Sequence, residues 1–74
     1  MAQITLKSDI SGVVWKILAQ PGQKLEPGAT VLILESMKME IPVIAEDGGT
    51  LISLAVAEGE SVTEGQVVST LDSG

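Results

Sequence analysis

Residues 12–28 read GVVWKILAQPGQKLEPG, and residues 49–65 read GTLISLAVAEGESVTEG. Laid over one another at an offset of 37 residues, without a gap, they place Gly12, Gly22 and Gly28 on Gly49, Gly59 and Gly65. Val14 falls on Leu51, Trp15 on Ile52, Ile17 on Leu54, Ala19 on Val56 and Leu25 on Val62. The match runs outward in both directions: Ile4 and Leu6 fall on Ile41 and Val43, while Val31, Leu34 and Glu35 fall on Val68, Leu71 and Asp72. A repeat at fixed offset constrains architecture before any local reading does. Two copies, about 4–36 and 41–73, predict a single pseudo-twofold domain over residues 1–74 and no solenoid.

Each copy reads as strands. Trp15, Ile17 and Ala19 alternate, as do Ile52, Leu54 and Val56, which is the period of a half-buried strand. Val14 and Leu51 add an apolar residue out of phase at the same place in both copies, the signature of a bulge. On this alternation Trp15 points mostly inward, as does its repeat partner Ile52. Pro21-Gly22 and Pro27-Gly28 suit type II turns, with proline presetting φ and glycine taking the positive φ. At the matching places, Glu58-Gly59 and Glu64-Gly65, the proline changes and the glycine stays. No segment carries sustained helical periodicity with caps. The expectation is all-β, with strands near 3–7, 13–19, 24–26, 30–36, 39–44, 50–56, 61–63 and 67–72. Neither half can bury its apolar face alone, so the two close as a flattened barrel or sandwich of two four-stranded antiparallel sheets.

Composition narrows the chemistry. The chain has 74 residues, with no cysteine and no histidine, and this removes disulfides, thiolate metal sites and the commonest general base. Four lysines and no arginine stand against ten acids, a formal charge of −6. That balance argues against nucleic acid, whose phosphates need cations, and against an anionic membrane. No apolar run approaches the roughly 20 residues of a membrane span, and MAQITLKSDI has no signal core, so a cytoplasmic protein is expected. Glu35, Glu40, Glu46 and Asp47 gather near the middle of the sequence, but paired carboxylates do acid–base work only in a concave pocket. They read as a solvated face.

Between the copies lies Glu35-Ser36-Met37-Lys38-Met39-Glu40, flanked by VLIL and IPVI. A sharp reversal usually carries Asn, Asp or Gly; this one carries a lysine between two methionines. Lys7, Lys16 and Lys24 lie in or beside ordinary strand patterns. Lys38 occupies a place where local rules are broken, and such places are disproportionately functional. By the repeat, Lys38 stands at one end of the domain and the two termini at the other. Met37 and Met39 there offer an adaptable contact surface, although Met39 also continues the alternation of Ile41 and Val43.

The Met-Lys-Met tip, set centrally between two Gly-spaced half repeats, resembles the biotinyl attachment domain of biotin-dependent carboxylases, over about Ile4 to Asp72. Within it the chain is similar to a free-standing biotin carboxyl carrier protein. The resemblance implies that biotin is joined by an amide to the Lys38 amine. It also implies that a biotin protein ligase recognises Met37 and Met39 together with Glu35, Ser36 and Glu40. The carrier itself would be non-catalytic, monomeric in isolation, and would shuttle a carboxyl group between biotin carboxylase and carboxyltransferase sites. The amide would take the formal charge from −6 to −7. The chain departs from many relatives in having Ser36 where they have alanine, and in lacking proline before Gly12 and Gly49. The halves align without the protruding thumb of some carriers. Lipoyl domains of 2-oxo acid dehydrogenase or glycine cleavage systems share this fold but usually carry Asp-Lys-Ala at the tip. The hairpin domains of efflux-pump fusion proteins lack Met-Lys-Met and sit between helices.

Overall fold

The computed structural model describes residues 2–72 and forms eight strands: β1 (Gln3–Lys7), β2 (Gly12–Ile17), β3 (Lys24–Leu25), β4 (Ala29–Ser36), β5 (Met39–Ala45), β6 (Gly49–Leu54), β7 (Ser61–Val62) and β8 (Val67–Asp72). Ser73, the end of the second expected repeat, lies outside the described residues. Two antiparallel four-stranded sheets result, in the orders β1-β8-β6-β3 and β5-β4-β2-β7. The offset of the repeat carries β1, β2, β3 and β4 onto β5, β6, β7 and β8, and so carries one sheet onto the other. Each sheet draws two strands from each half. The halves are therefore interleaved, which is why neither could be a domain alone. Among the described residues no ladder joins edge β1 to edge β5, or β3 to β7, so the sheets stack as a flattened sandwich and no barrel closes.

The repeat extends to the irregularities. The β2–β4 register slips between Val14 and Lys16, and the β6–β8 register slips at the matching place, between Leu51 and Ser53. Val31 in β4 and Val68 in β8 are a second matched pair of extra residues. The bulge expected in each half is present, but the extra residue is Trp15, not Val14, and Ile52, not Leu51. Val14 keeps its place in the ladder opposite Leu34 and is buried. Trp15 is 48% exposed and Ile52 40% exposed, which corrects the expectation that both point inward. The physical reason is the bulge itself: two residues face one partner, so Trp15 and Lys16 both stay on the outer face before Ile17 turns back in. Strands β2 and β6 also end two residues earlier than the alternation implies. The N–H groups of Leu18 and Ala19 both turn to the Val31 carbonyl, and Ala55 donates to Val68.

The core is aliphatic. Val14, Val31, Leu32 and Leu34 are fully buried from one half, and Leu51, Val68 and Leu71 from the other. Burying a Val or Leu side chain contributes about 1.5–3 kcal/mol, and in a chain this short these few side chains supply most of the driving force. The twofold sets serine against an apolar residue at two core positions: buried Ser8 matches Ala45, and Ser69, whose buried hydroxyl has no hydrogen-bond partner among the described residues, matches Leu32. The turns lock one half to the other. Gly22, at φ 91°, donates to the Leu51 carbonyl at 2.7 Å, and Gly59, at φ 88°, donates to the Val14 carbonyl at 2.7 Å. In each case the residue after the glycine closes the turn, Gln23 onto Gln20 and Glu60 onto Ala57, as type II geometry with glycine at its third position requires.

Candidate functional site at the β4–β5 hairpin

Strands β4 and β5 pair over seven residues, from Ala29 opposite Ala45 to Ser36 opposite Met39. The connection is therefore two residues long, Met37 and Lys38, with φ of 52° and 66°. Positive φ at both central residues is the type I′ arrangement, whose twist matches that of the flanking strands. Asn-Gly is the usual occupant because an ordinary side chain at positive φ costs roughly 1–2 kcal/mol per residue. Met37 and Lys38 are the only non-glycine residues with positive φ among those described. The tip is strained, and the strain falls on the residue singled out by the sequence.

Exposure does not distinguish Lys38, since Lys7, Lys16 and Lys24 are exposed too. Backbone does: those three lie within strands, whereas Lys38 is held at positive φ on a two-residue apex. No ion pair engages its amine among the described residues. Met37 is 92% exposed and Met39 63%, so neither methionine folds back into the core. Below them Glu35 and Glu40 stand directly opposite one another. Like charges in that position are unfavourable to the ladder. Ser36, half-buried, closes the hairpin against Met39. The five residues expected around Lys38 are thus brought together on one hairpin end. Glu46 and Asp47 are not among them: with Asp9 they rim a cleft of about 350 Å³ between β1 and β5, floored by Ile4, Leu6, Val43 and Leu71.

One supporting residue escaped the sequence reading. Gly12 begins β2, and a Cβ there would lie 2.5 Å from the Glu35 carbonyl oxygen and 3.3 Å from Ser36 Cβ. Its missing side chain lets the β2 backbone brace the hairpin base. An isolated glycine opening a strand pattern is a signal of close backbone approach, and Gly12 carried that signal in the repeat.

The geometry offers a single primary amine on a braced, solvent-facing apex, bordered by two apolar thioethers and two carboxylates. It suits attachment of a group by an acyl bond and recognition by a second protein. The chain is similar to several known proteins. A "Biotin/lipoyl attachment protein" of Bacillus subtilis is 40% identical over 65 residues, 88% of this chain and 89% of that protein. The "Biotin-dependent acyl-coenzyme A carboxylase alpha3 subunit" of Mycobacterium leprae is 40% identical over 60 residues, 81% of this chain but 10% of the subunit. The crystal structure of Kluyveromyces lactis urea carboxylase superimposes with a TM-score of 0.91 at 30% identity, over 97% of this chain and 6% of that one. The lipoyl domain of the Azotobacter vinelandii 2-oxoglutarate dehydrogenase complex has a TM-score of 0.77 at 21% identity, over 93% of this chain and 98% of the domain, and shows the shared fold. The biotin/lipoyl family model, described as "Biotin-requiring enzyme", matches residues 5–71, and the chain belongs to that family.

Proposed function

We propose that Lys38 carries biotin in amide linkage and that the domain is the non-catalytic carrier of a biotin-dependent carboxylase. The observation that carries this reading is the Met37-Lys38 apex, where two ordinary side chains hold a strained turn that Asn-Gly would hold more cheaply. In the attachment step the Lys38 Nζ forms a bond to the carboxyl carbon of biotin. A biotin protein ligase activates that carboxyl with ATP, and AMP and pyrophosphate leave. The exposed Met37 and Met39, with Glu35, Ser36 and Glu40, form the surface by which the ligase selects this lysine from four. When bound, biotin supplies a ring nitrogen that takes up and gives away a carboxyl group. The chain's own part is to hold the arm clear of the sandwich and present it in turn to a biotin carboxylase and a carboxyltransferase component. Tethering of this kind gives an effective concentration on the order of mM. The same reading has the carrier work in the cytoplasm as a monomer. Among the described residues no helix is long and apolar enough to cross a membrane.

Lipoate on the same lysine is the second reading, favoured by the name of the Bacillus relative, which includes both groups. Intact mass after co-expression with a biotin ligase or with a lipoate ligase, beside Lys38→Arg, decides between them. Gain of one biotinyl group in the wild type alone supports the proposal. A lipoyl group instead supports the second reading, and no gain with either ligase removes the carrier function.

A further inference from the structure

The repeat gives this molecule an internal control, because every position on the outer face of one sheet has a twofold counterpart on the other. On the β5-β4-β2-β7 sheet the outer face carries Val13, Trp15, Leu18, Ile33, Pro42 and Ile44, of which Ile33 is half-buried and the rest exposed. Their counterparts are Thr50, Ile52, Ala55, Thr70, Thr5 and Lys7. The same backbone thus folds with threonine, alanine and lysine at five places where the Lys38-bearing sheet displays larger apolar groups or proline. The fold does not require this apolar face. It also runs up to the apex: Val13 pairs with Glu35, which pairs with Glu40, one step below Ser36 and Met39. Trp15 and Lys16 share the next outward row with Ile33 and Pro42, and Ile44 lies beyond, opposite Thr30.

We infer that this face is the seat by which the domain docks on the biotin carboxylase component, a protein presenting an apolar surface with a cation opposite Glu35 and Glu40. The inference rests on the carrier reading above. An apolar face contiguous with the tethered group orients the apex into the partner's site, and the unfavourable Glu35–Glu40 pair is relieved by a cation from the partner. A second copy of this chain fits worse, since each brings a formal charge of −6 and another such pair.

The test swaps in residues this fold already accepts. The variant Val13→Thr/Ile33→Thr/Ile44→Lys gives the face the side chains of its own twofold counterpart. The control, Thr5→Lys/Thr70→Glu, alters a cross-strand pair on the opposite face. Each protein is biotinylated, its mass checked, and then varied as substrate for the biotin carboxylase component of the same organism with ATP and bicarbonate. The face variant is expected to take up biotin normally, and to raise KM about tenfold with kcat retained, the pattern of lost uniform binding. The control is expected to match the wild type. Fluorescence of Trp15, the single tryptophan, shifts to the blue when the component is added to the wild type. An unchanged KM in the face variant overturns the proposal, as does an equal effect from the control. So does a wild type that sediments as a dimer and a face variant that sediments as a monomer. If the triple variant does not fold, Ile44→Lys on edge strand β5 decides by the same criterion. Absence of any mass gain at Lys38 is seen before kinetics begin; it refutes the carrier reading and the docking proposal with it.

Discussion

Replacing Met37-Lys38 by Asn-Gly should make the domain more stable while abolishing its modification. Both residues sit at positive φ, 52° and 66°. Glycine at position 38 relieves a strain of roughly 1–2 kcal/mol, and asparagine, which tolerates the left-handed region, relieves part of a similar strain at 37. Against this, glycine loses about 0.5–1 kcal/mol more chain entropy on folding than an ordinary residue. Packing adds little to either side, because Met37 is 92% exposed and Lys38 is exposed. The balance is a gain of about 1–2 kcal/mol, which for a domain of this size is on the order of 5–10 °C in Tm. Thermal and urea unfolding followed by circular dichroism measure it, with Met37→Asn and Lys38→Gly made singly to separate the two contributions. An unchanged or lowered Tm would refute the reasoning: the methionine–lysine apex would then be a good turn for this hairpin, and its sequence would need no functional explanation.

Ser69→Ala should stabilise the domain by about 1 kcal/mol, since it removes a buried hydroxyl without a partner; a higher urea midpoint with unchanged slope is the expected result. Gly12→Ala should destabilise by about 1–3 kcal/mol, as overpacking does, because the new Cβ lies 2.5 Å from the Glu35 carbonyl. Its rate of biotinylation should fall too, measured at a temperature where the variant remains folded. Glu40→Gln should raise Tm slightly at low salt and leave it unchanged at high salt, since it removes one of two like charges facing each other across the hairpin.

Much of this architecture was legible because the chain states it twice. Glycines at one offset fixed the turns, and the alternation between them fixed the strands to within two residues. The phase of β2 was not legible. Val14 and Trp15 are both apolar, so hydrophobicity alone cannot tell which is the extra residue, and only the ladder shows that Trp15 lies outside it. The interleaving of the halves was equally hidden, because a repeat reports what is equivalent and says nothing of which equivalent strands pair. At the apex the residue types were readable, and so was the two-residue connection, since the strands expected near 30–36 and 39–44 leave only Met37 and Lys38 between them. The positive φ of both residues was not readable, because neither is a residue type that favours it.

That connection also explains why Lys38, the proposed attachment lysine, stands between the copies. A turn that carries roughly 2–4 kcal/mol of backbone strain persists only if its flanks over-determine it. The β4–β5 ladder that ends in this turn has seven register pairs, running from Ala29 opposite Ala45 up to Ser36 opposite Met39. Gly12 closes the remaining freedom by bringing the β2 backbone under Glu35 and Ser36. Inside either half the same strain would disturb a repeated turn that pins the opposite half, as Gly22 pins Leu51 and Gly59 pins Val14. At the junction it disturbs nothing that the twofold uses. The segment joining the copies is thus the place where a sandwich built from interleaved halves can spend stability on presenting one amine, and it is where Lys38 stands.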